Sequence, residues 1–189
     1  MKISIIIPIY NEEKTISKVV NNVLSTPLPR GFTSEIVIVD DASTDSSAKE
    51  IKKFESKTKQ VFHKVNQGKG AAIITGLSEI SGDVVLIQDA DLEYNPRYYS
   101  KLLQPFLLGN TQVVYGSRLI NYPLKFFGKN KTPMPLHLVA NKFLTFMTNL
   151  LYGISVTDME TGYKLISVPL IRSLSLKSKK FDFEPEITA

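Results

Sequence analysis

Three carboxylates spaced two residues apart, Asp89, Asp91 and Glu93, close an apolar run that begins at Val84. On an extended chain, residues two apart point to the same side, with Cα atoms about 6–7 Å apart at ~3.3 Å rise per residue. Asp89 and Asp91 would then face one ligand together, while Ala90 turns inward and leaves room for a close approach. Carboxylates this near to each other repel unless a positive charge lies among them. A divalent cation, Mg2+ or Mn2+, meets that need. Such an ion is held by one or two carboxylates, with water and substrate phosphates completing its shell, so a metal here implies a phosphorylated substrate. Zinc fits poorly, because the chain has no Cys and only His63 and His137. The plainer alternative is a solvated Asp-rich turn leading into a helix at Asn95-Pro96. A second acidic pair, Asp40-Asp41, closing a different apolar run, weighs against it. Glu93 is open to two readings: a further metal contact, or an acid near the N-terminus of the following helix.

Other residues stand where a ligand would meet them. Pro8, Tyr10 and Glu12 follow the first apolar run. The stretch "NQGKGAAIITG" invites comparison with a phosphate-binding loop. That pattern requires Gly where His63 stands and Ser or Thr where Gly70 stands, so it fails. What survives is a tight turn opening a helix, with Lys69 near the ligand. Arg118, in "YGSRL", would counter a diphosphate or else be an ordinary surface arginine. Neither Ser-His-Asp nor Cys-His spacing is present. Basic residues are scattered without aromatic interleaving on one face, which disfavours a nucleic-acid partner.

The elements that must position these side chains follow from the hydropathy pattern. With 189 residues, 43% hydrophobic and 22% charged, the chain suits one ordinary globular domain. Its formal net charge of +5 favours anionic partners. Runs rich in Val, Ile and Leu at 2–8, 35–40, 83–88 and 112–116, with a weaker one at 61–65, alternate with helical stretches. Continuous apolarity implies strands covered on both faces. The expected fold over residues 1–120 is therefore α/β, a doubly wound, mainly parallel sheet with helices on both faces. Helix starts are expected at Asn11, at Ser43 or Asp45, and at Asn95-Pro96. In open sheets of this kind ligands gather outside the carboxyl ends of the strands, where the acids lie. Residues 121–135, with three Pro and Gly128, predict a loop excursion. A helix follows, with Leu136, Val139, Phe143, Phe146 and Leu150 at three and four spacing, either packed on the sheet or laid beside lipid. Phe126 and Phe127 among Lys125, Lys129 and Lys131 suit an anionic bilayer interface.

Taken in order, "SIIIPIYNEEKTI", "EIVIVDDASTDSS", "NQGKGAAIITGL", "LIQDADLEYNP", "VVYGSR", "DMETGYKL" and "FEPEITA" resemble the inverting family-two glycosyltransferases of GT-A fold. More narrowly, they resemble the branch that makes polyprenyl-phosphate or dolichyl-phosphate sugars. The resemblance runs over nearly the whole chain. It implies that Pro8, Tyr10, Glu12 and Asp40 line the base and ribose of a nucleotide-sugar, and that Asp89 and Ala90 also touch the nucleoside. Asp91, with Glu93, would hold the metal bridging the diphosphate. Arg118 would sit beside the phosphates or the acceptor. Asp158 would take the acidic position near the transferred sugar, framed by Glu160, Thr161, Gly162 and Lys164. The implied partners are a UDP- or GDP-linked sugar, a polyprenyl or dolichyl phosphate and the cytosolic face of a membrane. The chain then reads as a single catalytic domain that stops short within "FEPEITA", with residues 1–120 as the nucleotide-sugar half and 121–189 as the acceptor half. Competing readings are transfer to a sugar hydroxyl of a glycan, a catalytically silent nucleotide-binding domain, and a nucleotidyltransferase, which the later words fit poorly.

Overall fold

The computed structural model describes residues 1–109, 111–117, 135–159, 161–178 and 183–188, with Pro135 to His137 and Glu184 described by their backbone alone. Arg118, Glu160 and nearly all of the 121–135 excursion, including Phe126, Phe127 and the three lysines beside them, lie outside the described residues. Six strands form one sheet: β1 (Lys2–Ile9), β2 (Thr33–Asp40), β3 (Lys59–Phe62), β4 (Val84–Ile87), β5 (Val113–Tyr115) and β6 (Lys164–Ser167), in the order β3-β2-β1-β4-β6-β5. The pairings of β1 with β2 and β4, and of β2 with β3, are parallel, while β6 runs antiparallel to both β4 and β5. The sheet is thus mixed but mostly parallel. The antiparallel β6, inserted between β4 and β5, was not expected from its own four residues.

Both faces are covered, which is why the strands are apolar throughout rather than alternating. On one face Ile3, Ile5 and Ile7 pack with α1 (Ile16–Ser25) and α4 (Tyr99–Leu107). On the other, Ile6, Val37 and Val85 pack with α3 (Lys69–Glu79), α6 (Val168–Ser173) and α7 (Phe183–Thr188). The remaining helices are α2 (Ser47–Lys52) and α5 (Pro135–Tyr152). α3 lies close to β1 because Gly76 has no side chain: a Cβ there would stand 2.6 Å from Ile6 Cγ2. That approach brings the first turn of α3 to the carboxyl ends of the strands.

The β1–β4 ladder ends at Ile6–Ile87, so Pro8, which has no N–H to donate, takes nothing from it. Beyond that point β1 and β4 part. β2 and β3 lie to one side of β1 and β4 to the other, so the gap falls at the switch in strand order, where open sheets of this kind bind ligands.

Candidate functional site

A cavity of about 450 Å³ occupies this gap, a size within the roughly 300–1,000 Å³ range of small-molecule sites. β1 and the turn after it contribute Pro8, Ile9, Tyr10 and Glu12, and the end of β2 contributes Asp41. Asn66, Gly68, Lys69 and Ala72 come from the approach to α3 and its first turn, and Asp89, Ala90 and Asp91 from the end of β4. Of the residues singled out by sequence, Pro8, Tyr10, Glu12, Lys69, Asp89, Ala90 and Asp91 therefore line one cavity. Asp40, Glu93 and Asp158 are not among its lining residues.

The acidic pair on β2 divides its work. Asp40 Oδ1 accepts from Ser43 N at 3.1 Å and Ser43 Oγ at 2.5 Å, which turns the carboxylate back onto its own loop. Asp41 is the one that reaches the cavity wall. Its Oδ1 accepts from Gln67 N at 2.9 Å and lies 2.7 Å from His63 Nδ1, and its Oδ2 accepts from Gly68 N at 2.7 Å. His63 Nε2 lies 2.9 Å from Thr75 Oγ1. Asp41 and His63 together brace the segment that delivers Gly68 and Lys69. Sequence reading missed that role, and the signal available was the doubled Asp itself.

The turns after β1 and β2 are also zipped to each other. Asn11, expected to open a helix, instead adopts φ 57° and accepts from Thr44 N at 2.8 Å through its side-chain oxygen. Asp45 Oδ2 accepts from Glu13 N at 3.1 Å, and Glu13 Oε2 accepts from Ser46 N at 2.9 Å. α1 accordingly begins five residues later than Asn11, at Ile16. The end of β4 is held from below. Gln88, fully buried, donates from Nε2 to the carbonyls of Asp89 at 2.9 Å and Tyr94 at 3.1 Å, and its Oε1 accepts from Tyr99 OH at 2.7 Å. This clamp spans a turn in which Leu92 stands at φ 67°, a left-handed conformation that costs a branched side chain about 1–2 kcal/mol. Burial pushes the Tyr99 hydroxyl well above its ordinary pKa, so it remains a donor.

Charge is distributed unevenly across the cavity. Glu12, Asp89 and Asp91 stand on the β1 and β4 side. Facing them are Lys69, whose Nζ lies 2.8 Å from Asp89 Oδ1, and the first turn of α3, whose N–H groups form the positive end of the helix dipole. A diphosphate accompanied by a cation suits this pairing of acids with a positive wall. Among the described residues no three His, Asp or Glu side chains converge as a metal cage. The carboxylates open to the cavity, Asp91 among them, could supply the one or two protein ligands that Mg2+ or Mn2+ takes when phosphate oxygens complete the shell. Asp91 Oδ1 accepts from Glu93 N at 2.9 Å, so Glu93 shapes the turn through its backbone.

The second loop reaches the same place from β6. Gly162 N donates to Tyr94 OH at 2.7 Å, and a methyl at Gly162 would stand 2.5 Å from Asp89 Oδ2. Asp158, four residues earlier, is 1% exposed, and its Oδ1 accepts from Asn141 Nδ2 of α5 at 3.0 Å. Lys164, also buried, donates to the carbonyls of Met159 at 3.0 Å and Thr161 at 2.6 Å, bracing this loop from inside.

An open, mostly parallel sheet with an acid-lined crevice at its switch point is the architecture of the GT-A glycosyltransferases. The glucosyl-3-phosphoglycerate synthase of Mycobacterium tuberculosis, solved with Mn2+, UDP and phosphoglyceric acid, superposes with a TM-score of 0.67 at 25% identity, covering 97% of this chain and 61% of that one. Residues 4–174 match the profile of Glycosyl transferase family 2, and the chain belongs to that family. It is 37% identical to the UDP-N-acetylglucosamine–dolichyl-phosphate N-acetylglucosaminyltransferase of Methanococcus voltae, over 95% of this chain and 76% of that protein. It is 32% identical to the dolichol-phosphate mannosyltransferase of Pyrococcus furiosus, over 65% of this chain and 36% of that protein. The chain thus spans about three-quarters of the first relative and little more than a third of the second.

Proposed function

We propose that this domain moves a hexose from a nucleoside diphosphate-sugar to a polyprenyl or dolichyl phosphate at a membrane surface, on its cytosolic side. One observation carries the reading: carboxylates from the ends of β1 and β4 share a single cavity with Lys69 and the positive end of α3. Pro8, Tyr10, Glu12 and Asp40, with Asp89 and Ala90, receive or shape the pocket for the nucleoside. Asp91, assisted by Glu93, would hold Mg2+ or Mn2+. When bound, that ion stabilises the charge that develops on the nucleoside diphosphate as it leaves. Lys69 and Arg118 supply further positive charge to the same oxygens. The relatives named above pair a UDP-linked sugar with a dolichyl phosphate in one case and a mannosyl group with dolichol phosphate in the other, which supports the acceptor class and leaves UDP and GDP as alternative donors.

The acceptor explains the placement of Asp158. A hydroxyl acceptor needs a base within hydrogen-bond reach of its proton, and Asp158 is buried against Asn141. A phosphomonoester, with a second pKa near ~6, arrives already anionic. Its oxygen attacks C1 of the sugar, the C1–O bond to the diphosphate breaks, and the configuration at C1 inverts. Asp158 then positions the loop from β6 rather than abstracting a proton. The test incubates the whole protein with each labelled nucleotide-sugar, a polyprenyl phosphate and Mg2+ or Mn2+. Label is expected in the organic phase, and none from any donor overturns the reading.

A further inference from the structure

α5 turns a largely polar stripe inward. Leu138, Asn141 and Thr145 are buried, while Phe143, Phe146 and Leu150 on the other side are exposed. Both stripes repeat at three and four spacing, so hydropathy alone would turn the helix over. Hydrogen bonds to the chain that follows hold it as it is. Asn149 exchanges a pair of bonds with Val156, 2.8 Å to its carbonyl and 2.9 Å from its N–H. Asn141 Nδ2 donates to Asp158 Oδ1 at 3.0 Å, and Thr145 Oγ1 accepts from Met159 N and donates to Asn141 Oδ1, both at 3.1 Å. Asn141, Thr145, Asp158 and Met159 are all buried, and a buried network whose members pair with one another is rigid.

The segment gripped in this way runs on to the acid-lined cavity. Lys164 Nζ donates to the carbonyls of Met159 and Thr161, Thr161 Oγ1 donates to Gly116 O, and Gly162 N donates to Tyr94 OH. Tyr94 belongs to the turn that Gln88 clamps, and Gly162 packs so closely on Asp89 that a Cβ there would meet Oδ2 at 2.5 Å. An apolar stripe on α5 would bury this segment as well, but apolar contact has no direction and would let it slide. Directional bonds fix its register. We propose that Asn141 and Thr145 are positioning residues for nucleotide binding: by holding Asp158 and Met159 they set where Gly162 stands, and Gly162 sets where the Asp89 carboxylate stands in the cavity. Neither residue lines that cavity, so both act through the segment between. The consequence for sugar transfer rests on the function proposed above.

The test uses the whole protein and a pair of changes at one site. Thr145→Val deletes the hydroxyl that joins Met159 to Asn141, and Thr145→Ser keeps it. Thr145→Val is expected to raise the KM for nucleotide-sugar, and the calorimetric Kd for whichever of UDP and GDP the parent binds more tightly, by about tenfold, with kcat within about threefold of the parent. Thr145→Ser should restore the parent values. Asn141→Ala, which leaves the bond from Met159 N in place, should raise Kd by about threefold or more, and it decides the matter if Thr145→Val does not fold. Asn149→Leu is the control: it removes two bonds of the same stripe, at the end of the segment away from Gly162, and should lower the thermal midpoint with Kd unchanged. Parent-like Kd in Thr145→Val, or in Asn141→Ala should the first not fold, overturns the proposal. So does a rise in Kd for Asn149→Leu as large as that for Thr145→Val, which would make the stripe a matter of stability alone. A parent that binds nucleotide but transfers no sugar refutes the transferase reading, and Kd then decides the positioning; a parent that binds neither nucleotide overturns both.

Discussion

Gln88→Leu is the substitution that most directly probes how the crevice is built. It conserves approximate volume while deleting a side chain that donates to two carbonyls and accepts one hydroxyl from inside the core. The bond to Tyr94 O and the bond from Tyr99 OH are both buried, so the variant takes the Gln88 partner away from two buried polar groups. At about 1–3 kcal/mol for each unsatisfied buried group, less the gain from an apolar side chain, the loss comes to about 3 kcal/mol. For a domain of this size each kcal/mol moves the thermal midpoint by about 2–4 °C, so a fall of roughly 6–12 °C is expected by calorimetry. Adding Tyr99→Phe removes one of the stranded groups and should restore about 1 kcal/mol, a non-additivity that a double-mutant cycle measures. The clamp also holds the Asp89–Tyr94 turn with Leu92 at positive φ, so the single variant should bind nucleotide-sugar at least about tenfold more weakly by calorimetric titration. A single variant within 2 °C of the parent (about 1 kcal/mol or less), with unchanged nucleotide affinity, would refute the account of Gln88 as the brace of the acidic turn.

Three further outcomes follow from the same geometry. Gly162→Ala puts a methyl 2.5 Å from Asp89 Oδ2 and 2.9 Å from Tyr94 Cε2; the overpacking should cost about 1–3 kcal/mol in urea unfolding and raise the KM for the nucleotide-sugar, whereas Gly109→Ala, with open space around it, should leave KM alone. Asp91→Asn should cut transfer by about 10²-fold or more with little change in thermal midpoint, and parent-like dependence of rate on Mg2+ or Mn2+ concentration in that variant would remove Asp91 from the metal's donor set. Glu35 supplies a pH test: burial raises its carboxyl pKa, but hydrogen bonds from Lys2, Ser4 and Ser81 outweigh that and bring it to about 2, below its ordinary 4.5. A depressed carboxylate stabilises the fold above the unfolded pKa and loses that contribution as pH falls, so stability should decline between about pH 4.5 and about pH 2, and Glu35→Gln should flatten that part of the urea-midpoint profile.

The chain order of apolar runs was enough to predict the parallel core, because strands buried on both faces must be apolar at every position and no distant partner alters that demand. Asn95-Pro96 likewise marked its own turn correctly: Asn95 Oδ1 accepts from Arg97 N at 3.1 Å at the start of a 3₁₀ turn from Pro96 to Tyr98. Asp89 and Asp91 were legible as a pair since spacing along an extended chain sets their common side, whereas Ala90 lines the same cavity because the chain bends once β4 has ended at Ile87. What the linear order left open were choices made by distant residues. The strand β6 exists because Leu165 and Ile166 pair with Leu86 and Val85, far away in the chain. Which of Asp40 and Asp41 reaches the cavity depends on where Ser43, His63 and Gly68 stand. The period of α5 was visible from its residues, yet the face it presents to the protein was decided by Asp158, Met159 and Val156, whose hydrogen bonds outweigh the burial of phenylalanine and leucine. Local periodicity determines which side chains share a face; only contacts closed across the fold determine which face turns inward.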